Sequence, residues 1–367
     1  MQRFHFLDAM RSILMMLGVV LHTAVVYSTN SWLQPDEGSV FYNHLVHVIH
    51  LFRMPAFFII SGFFCHLMLS RVSSSVFIKQ KASRILLPLI ITAITLNTLQ
   101  NIILNDYRTI EMEILSLEYW LEGNWVSHLW FLIALIYFLL LSTVVKILFP
   151  KVSDRLLTFS SQCLLSSKHF SIILLPLISL VLIKASHIFS LHIMNLEFDW
   201  QISESIKYSI YFYFGILTAR HPKLLSNFTH ISFPTLGISC FVIGMLVSLN
   251  PLGVITENHW LARIQLVVDS FSTWLLCYLC FILFHQLTNS PLKLFQYLSD
   301  ASYTIYLFHH VLVIAFSILV IPLAIPIFIK FILVIIMTFA STIVIHNGLI
   351  CKLPFMSILF NGKVQKR

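Results

Sequence analysis

Ionisable side chains are costly inside a bilayer, so the few that interrupt long apolar runs are where chemistry is to be sought. His22 falls within the run Ile13–Val26, and the pair His309-His310 falls within another that opens with Ser302, Tyr303 and Tyr306. A third run carries His44, His47, His50 and Arg53 at spacings of three, which makes a slanting polar stripe on a helix. A buried imidazole can take a proton from a hydroxyl, and a guanidinium, which keeps its proton, can face a developing negative charge. These groups suit acyl transfer to an alcohol. They also suit a proton-coupled carrier, and a lone membrane histidine often does no more than hydrogen-bond a neighbouring helix.

Composition says what must position them. The chain has 367 residues, 58% hydrophobic and only 10% charged, far from the ~25% charged content of soluble domains. Thirty-two phenylalanines are spread along the whole length, and the mean hydropathy is +0.88. This excludes a soluble enzyme with one anchor, a disordered chain and a disulfide-stapled secreted domain. No strand-length alternation is sustained, so an outer-membrane barrel is excluded as well. The expected class is an all-α integral membrane protein, a single transmembrane domain over residues 1–367 with a basic tail from about 352.

A spanning helix needs roughly 20 mainly apolar residues, and ten stretches qualify: near 10–28, 44–69, 84–104, 127–149, 169–190, 205–220, 231–250, 264–287, 302–320 and 323–346. The links alternate in charge. Arg71, Lys79, Lys81 and Arg84, then Lys146, Lys151, Arg155 and Lys168, then Arg220 and Lys223 belong on the cytoplasmic side. Asp36 and Glu37, the acidic residues of 106–122, and Glu197, Asp199 and Glu204 face outward. An even number of spans puts both termini, and the basic tail with Lys363, Lys366 and Arg367, in the cytoplasm. The net charge of +8 is thus a membrane-orientation signal rather than a nucleic-acid one.

Arg3 and Arg11 ahead of the first apolar run imitate a signal peptide, but Asp8 and the absence of a small-residue cleavage site point to a retained span. The six cysteines lie in or beside apolar runs and are read as buried thiols, with Cys277 and Cys280 structural. Arg11 precedes His22 by eleven residues, which on a helix is about 16 Å of rise and within about 20° of the same face. Arg11 therefore sits at the inner surface with His22 near mid-membrane. The second and ninth spans bring His50, Arg53, His309 and His310 to similar depths.

Several stretches resemble a known family. Phe6-Leu7-Asp8-Ala9-Met10-Arg11 followed by His22 is similar to the first helix of the acyltransferase-3 superfamily of membrane O-acyltransferases, and Phe52-Arg53-Met54-Pro55-Ala56-Phe57-Phe58-Ile59-Ile60-Ser61-Gly62 to its second. Ser127-His128-Leu129-Trp130-Phe131-Leu132, the segment from Ala301 to His310, and Leu359-Phe360-Asn361-Gly362-Lys363 narrow the resemblance to the branch that succinylates osmoregulated periplasmic glucans. The resemblance implies a ten-span bundle in the bacterial inner membrane, with acyl-CoA, either succinyl-CoA or acetyl-CoA, as co-substrate and a periplasmic or lipid-linked glycan as acceptor. It implies no tightly bound cofactor. Lys81-Ala82-Ser83-Arg84 stands where the family carries a basic Arg-x-x-Arg linked to donor use.

On that reading His22 is the general base, since burial penalises an imidazolium and favours the proton-accepting ring. Arg53, or a histidine of the His309-His310 pair, faces the oxyanion; Arg53 is alternatively the cation for a succinyl carboxylate, and His50 orients His22 or the acceptor. Donor phosphates stay at the basic inner face near Arg11, Lys79, Lys81 and Arg84. The sugar approaches past His128 and Trp130. No metal is expected, because the histidines lack carboxylate or thiolate company at a ligand spacing.

Overall fold

The computed structural model describes residues 4–33, 38–108, 116–166, 168–193, 199–230, 259–288 and 292–363, apart from isolated positions. Among them there are helices and no strand, as a chain whose backbone must satisfy itself in lipid requires. We number the helices α1 (His5–Val26), α2 (Val40–Leu69), α3 (Ser74–Arg108), α4 (Leu117–Leu121), α5 (Trp130–Leu148), α6 (Pro150–Ser166), α7 (Lys168–Ile193), α8 (Asp199–Arg220), α9 (Pro222–Thr229), α10 (His259–Leu287), α11 (Lys293–Val320), α12 (Ile327–Ile345) and α13 (Pro354–Asn361).

Among the described residues, eight helical segments are long and apolar enough to cross a membrane. They correspond to the predicted spans 10–28, 44–69, 84–104, 127–149, 169–190, 264–287, 302–320 and 323–346, with several extended by a turn or more into polar sequence. The predicted span 205–220 is the C-terminal part of α8, whose first half carries Asp199, Gln201, Glu204 and Lys207. That polar half keeps α8 out of the eight. The predicted span 231–250 lies outside the described residues. Five cysteines among the described residues are free thiols, and Cys65, Cys277 and Cys280 are buried.

The chain sorts into two compact units interleaved in sequence. The first comprises residues 1–10, 51–79 and 133–291. Its core is aromatic: Phe58 meets Phe138 at 5.2 Å and Tyr208 at 5.3 Å, and Phe138 meets Phe212 at 5.0 Å. The lower part of α2 and α8 cross backbone to backbone in this unit. A Cβ on Gly62 would stand 2.0 Å from the Phe212 carbonyl oxygen, and one on Gly215 2.0 Å from that of Ile59. Small residues allow such approaches between membrane helices, where contact must come from packing rather than from the hydrophobic effect.

The second unit comprises residues 11–50, 80–132 and 292–367. Val19, Tyr27, Tyr42, Ile305, Val313, Phe331 and Val334 form its buried core, drawn from α1, the start of α2, α11 and α12. α3 turns to π-helix at Ala82–Leu86 and at Ala93–Asn97. Such widened turns re-aim side chains and recur at functional sites.

Candidate functional site

The second unit gathers four histidines from three places in the sequence. His22 comes from the last third of α1, His128 from the short 3-10 turn Ser127–Leu129, and His309 and His310 from the middle of α11. His22 meets His310 edge to face at 4.5 Å and His309 at 5.2 Å between ring centroids. His128 stacks on His310 at 4.9 Å with an interplanar angle of 8°, and meets His309 at 5.3 Å. Trp32, in the segment after α1, closes the group at 5.5 Å from His22 and 5.1 Å from His310. His128, His309 and His310 are buried, and His22 is half-buried.

Hydrogen bonds fix how two of these rings are protonated. His309 Nδ1 lies 2.6 Å from the Tyr306 carbonyl oxygen, which can only accept, so this nitrogen carries the proton. His310 Nδ1 lies 2.5 Å from Gln100 Oε1, and the Gln100 amide in turn donates from Nε2 to Ser127 Oγ at 3.1 Å. His310 Nδ1 is therefore the donor as well. In the neutral ring the other nitrogen, Nε2, is then the proton acceptor. Each of the two rings is held in the tautomer that a base requires.

The loop bearing His128 is tied to the same unit. Tyr306 donates its hydroxyl to the His128 carbonyl at 2.8 Å. Asn97 Nδ2 donates to the Trp125 carbonyl at 2.7 Å, and Asn101 Nδ2 to the Tyr119 hydroxyl at 2.9 Å. Ser127, which receives Gln100, has φ of 43°, a left-handed backbone that a non-glycine residue adopts only where its surroundings impose it. Arg108 donates to the Trp32 carbonyl and anchors the tryptophan's segment.

The other candidates fall in several places. Arg11 donates to Ser299 Oγ at 2.9 Å at the start of α11. Lys81 is half-buried just before the first π-turn of α3, and Arg84 is exposed within it. Between them Ser83 donates its hydroxyl to the Gly362 carbonyl at 2.6 Å, so the C-terminal Asn361-Gly362-Lys363 packs directly on the basic motif. His50 is exposed, and Trp130 is half-buried at the head of α5. Arg53 belongs to the first unit and is buried there, 7% exposed. A spacing of three falls about 60° short of a turn, so the stripe from His44 to Arg53 winds through about 180° and ends on the opposite face of α2. Among the described residues, no three His, Cys, Asp or Glu are grouped to hold a metal ion.

Gln100 escapes the sequence reading, as do Asn97, Asn101 and Trp32. The signal was present: three amides within five residues of an apolar run, each costly in lipid unless bonded.

Together these features define an all-helical, multi-pass membrane protein with a buried histidine cluster in one of its units. The family model for the acyltransferase domain matches residues 4–347, and the chain belongs to that family. It is similar to the glucans biosynthesis protein C of Escherichia coli K12, 28% identical over 378 residues, 99% of this chain and 95% of that protein. The proteins of the same name from Shigella dysenteriae and Salmonella gallinarum are also 28% identical, covering 99% and 98% of this chain and 95% of each relative. No solved structure matches. The protein is thus a membrane acyltransferase.

Proposed function

We propose that this acyltransferase moves a short acyl group, succinyl or acetyl, from cytoplasmic acyl-CoA to a hydroxyl of a periplasmic glucan, working in the bacterial inner membrane. The relatives' name supports the glucan. The carrying observation is the contact of His22 with His310, whose tautomer Gln100 sets.

His22 accepts the proton of the sugar hydroxyl as its oxygen attacks the thioester carbonyl. His310, whose ring meets that of His22 at 4.5 Å, is assigned the part of positioning His22 as a base, as the orienting group does in catalytic triads. As neutral rings His309 and His310 offer acceptors, so they are assigned to proton handling. The indole N–H of Trp32, a donor with no acceptor function, suits the developing oxyanion. Collapse of the tetrahedral intermediate expels the coenzyme A thiolate, which takes up the proton held at His22. The nucleotide and its phosphates are too polar for the core; Arg11, Lys81 and Arg84 are the cations assigned to them. Only the thin pantetheine arm then needs to cover the about 16 Å of helix rise between Arg11 and His22.

The test is reconstituted protein given labelled succinyl-CoA or acetyl-CoA and purified periplasmic glucan, with the glucan read by mass spectrometry. Acylated glucan from the wild type, and none from a membrane-accumulated His22→Ala variant, is the expected result. Movement of unmodified solute without product would make the protein a carrier. Acylation of lipopolysaccharide instead of glucan would keep the enzyme and replace its acceptor.

A further inference from the structure

The first unit contains a cavity of about 740 Å³ that the acyl-transfer scheme does not use. Its volume lies within the roughly 300–1,000 Å³ of small-molecule sites. Leu69, Phe138, Leu141, Leu156 and Ile216 supply an apolar wall. Leu141, on the spanning helix α5, is 62% exposed, so the cavity opens sideways onto surface that this helix turns toward lipid tails, while Leu156, 55% exposed, belongs to the shorter, amphipathic α6. Its polar end is where α2, α5 and α8 finish, marked by Lys146, Asp154 and Arg220.

Those charges do not cancel. Two basic side chains, Lys146 and Arg220, line the cavity with one carboxylate, Asp154. Asp154 and Arg220 pair at 2.7 Å, with the acid 68% exposed and the arginine 28% exposed, so the cation is the more inward of the two. Lys146 donates to the Leu69 carbonyl, and Arg220 also donates to Thr158 Oγ1 at 3.3 Å. These bonds use one of three donors on Lys146 and two of five on Arg220. An apolar slot open to lipid tails, ending in a net positive charge at the basic ends of the helices, is complementary to one molecule class.

We propose that this cavity is a binding site for an anionic phospholipid of the inner leaflet, with an acyl chain along Phe138 and Leu141 and the phosphate at Lys146 and Arg220. The positive-inside rule puts these helix ends on the cytoplasmic side, where anionic lipid is attracted to basic residues.

Native mass spectrometry of the delipidated full-length protein tests this, titrated with phosphatidylglycerol and with phosphatidylcholine of the same chains. Phosphatidylglycerol should bind about fivefold more tightly, the advantage expected of one net charge near the headgroup. Lys146→Met, which keeps most of the side-chain volume, should remove that preference. Ser142→Trp, which fills the cavity and leaves both cations, should lose the lipid whatever its headgroup, while the protein stays monodisperse on size exclusion. Equal binding of the two lipids by the wild type, or undiminished binding by Ser142→Trp, would overturn the site. Displacement of phosphatidylglycerol by equimolar palmitoyl-CoA would assign the cavity to the acyl donor and overturn the lipid reading.

Discussion

His310 and Gln100 are joined side chain to side chain, Nδ1 to Oε1 at 2.5 Å, between helices that lie about two hundred residues apart in the chain. The bond makes His310 Nδ1 the donor and leaves Nε2 as the acceptor, so a residue outside the ring cluster decides what the cluster can do. Gln100→Leu removes the acceptor and abandons a buried N–H, which lets the ring adopt the other tautomer. Turnover should fall, though by less than the about 10²–10⁴-fold expected for losing a general base at His22. Gln100→Glu, which keeps an oxygen toward His310, should recover part of the rate. Steady-state kcat for the two variants decides it; equal loss in both would mean that Gln100 only fills space.

The C-terminal glycine makes a separate prediction. Gly362 has φ of +62°, and a Cβ on it would stand 2.0 Å from the Ser83 carbonyl oxygen. Ser83 sits between Lys81 and Arg84, so Gly362→Ala must push the terminal segment off the basic motif or distort the motif itself. The KM for acyl-CoA should rise severalfold with the glucan KM unchanged, as it should for Arg84→Ala. Ser83→Ala loses only the 2.6 Å hydrogen bond to the Gly362 carbonyl and should shift the same constant less. A change confined to glucan affinity would detach this corner from donor binding.

How much of this is legible in the sequence depends on how local the signal is. Hydropathy locates the spans because twenty apolar residues in a row have few other uses, and α8 escapes that criterion because its first half carries Asp199, Glu204 and Lys207. His22, His309 and His310 stand out as ionisable groups in apolar runs. Their mutual contact cannot be read, because it depends on the rotation of α1 against α11 and no periodicity encodes that. In the sequence His128 reads, with Trp130, as a residue on the acceptor's path, since hydrogen-bonding and aromatic groups suit a sugar. Its stacking on His310 follows from the amides of Asn97, Gln100 and Asn101, which draw the preceding loop onto α3. In the first unit, the close approach of Gly62 to α8 depends likewise on how two helices are rotated against each other.

Gly62 and Gly215 carry a stability prediction independent of chemistry. With backbone oxygens 2.0 Å from where either Cβ would stand, alanine at Gly62 forces α2 and α8 apart, and overpacking of this kind costs about 1–3 kcal/mol. Gly348, where an added Cβ would meet nothing within 4 Å, is the control. Gly62→Ala should lower the thermal midpoint in detergent and Gly348→Ala should not. Equal midpoints would mean that the crossing relaxes at no cost.

The last prediction separates two uses of Trp32. Its ring lies 5.5 Å from His22 and 5.1 Å from His310, and its carbonyl is held by Arg108. An aromatic face there could serve as a platform for a sugar, whereas the indole N–H could serve the oxyanion. Trp32→Phe keeps most of the face and deletes the donor. Loss of one oxyanion donor costs about 10²–10³-fold in kcat, so a fall of that size with the glucan KM unchanged is expected. A raised glucan KM at unaltered kcat would make Trp32 the sugar's platform, and the donor for the oxyanion would then have to come from another group.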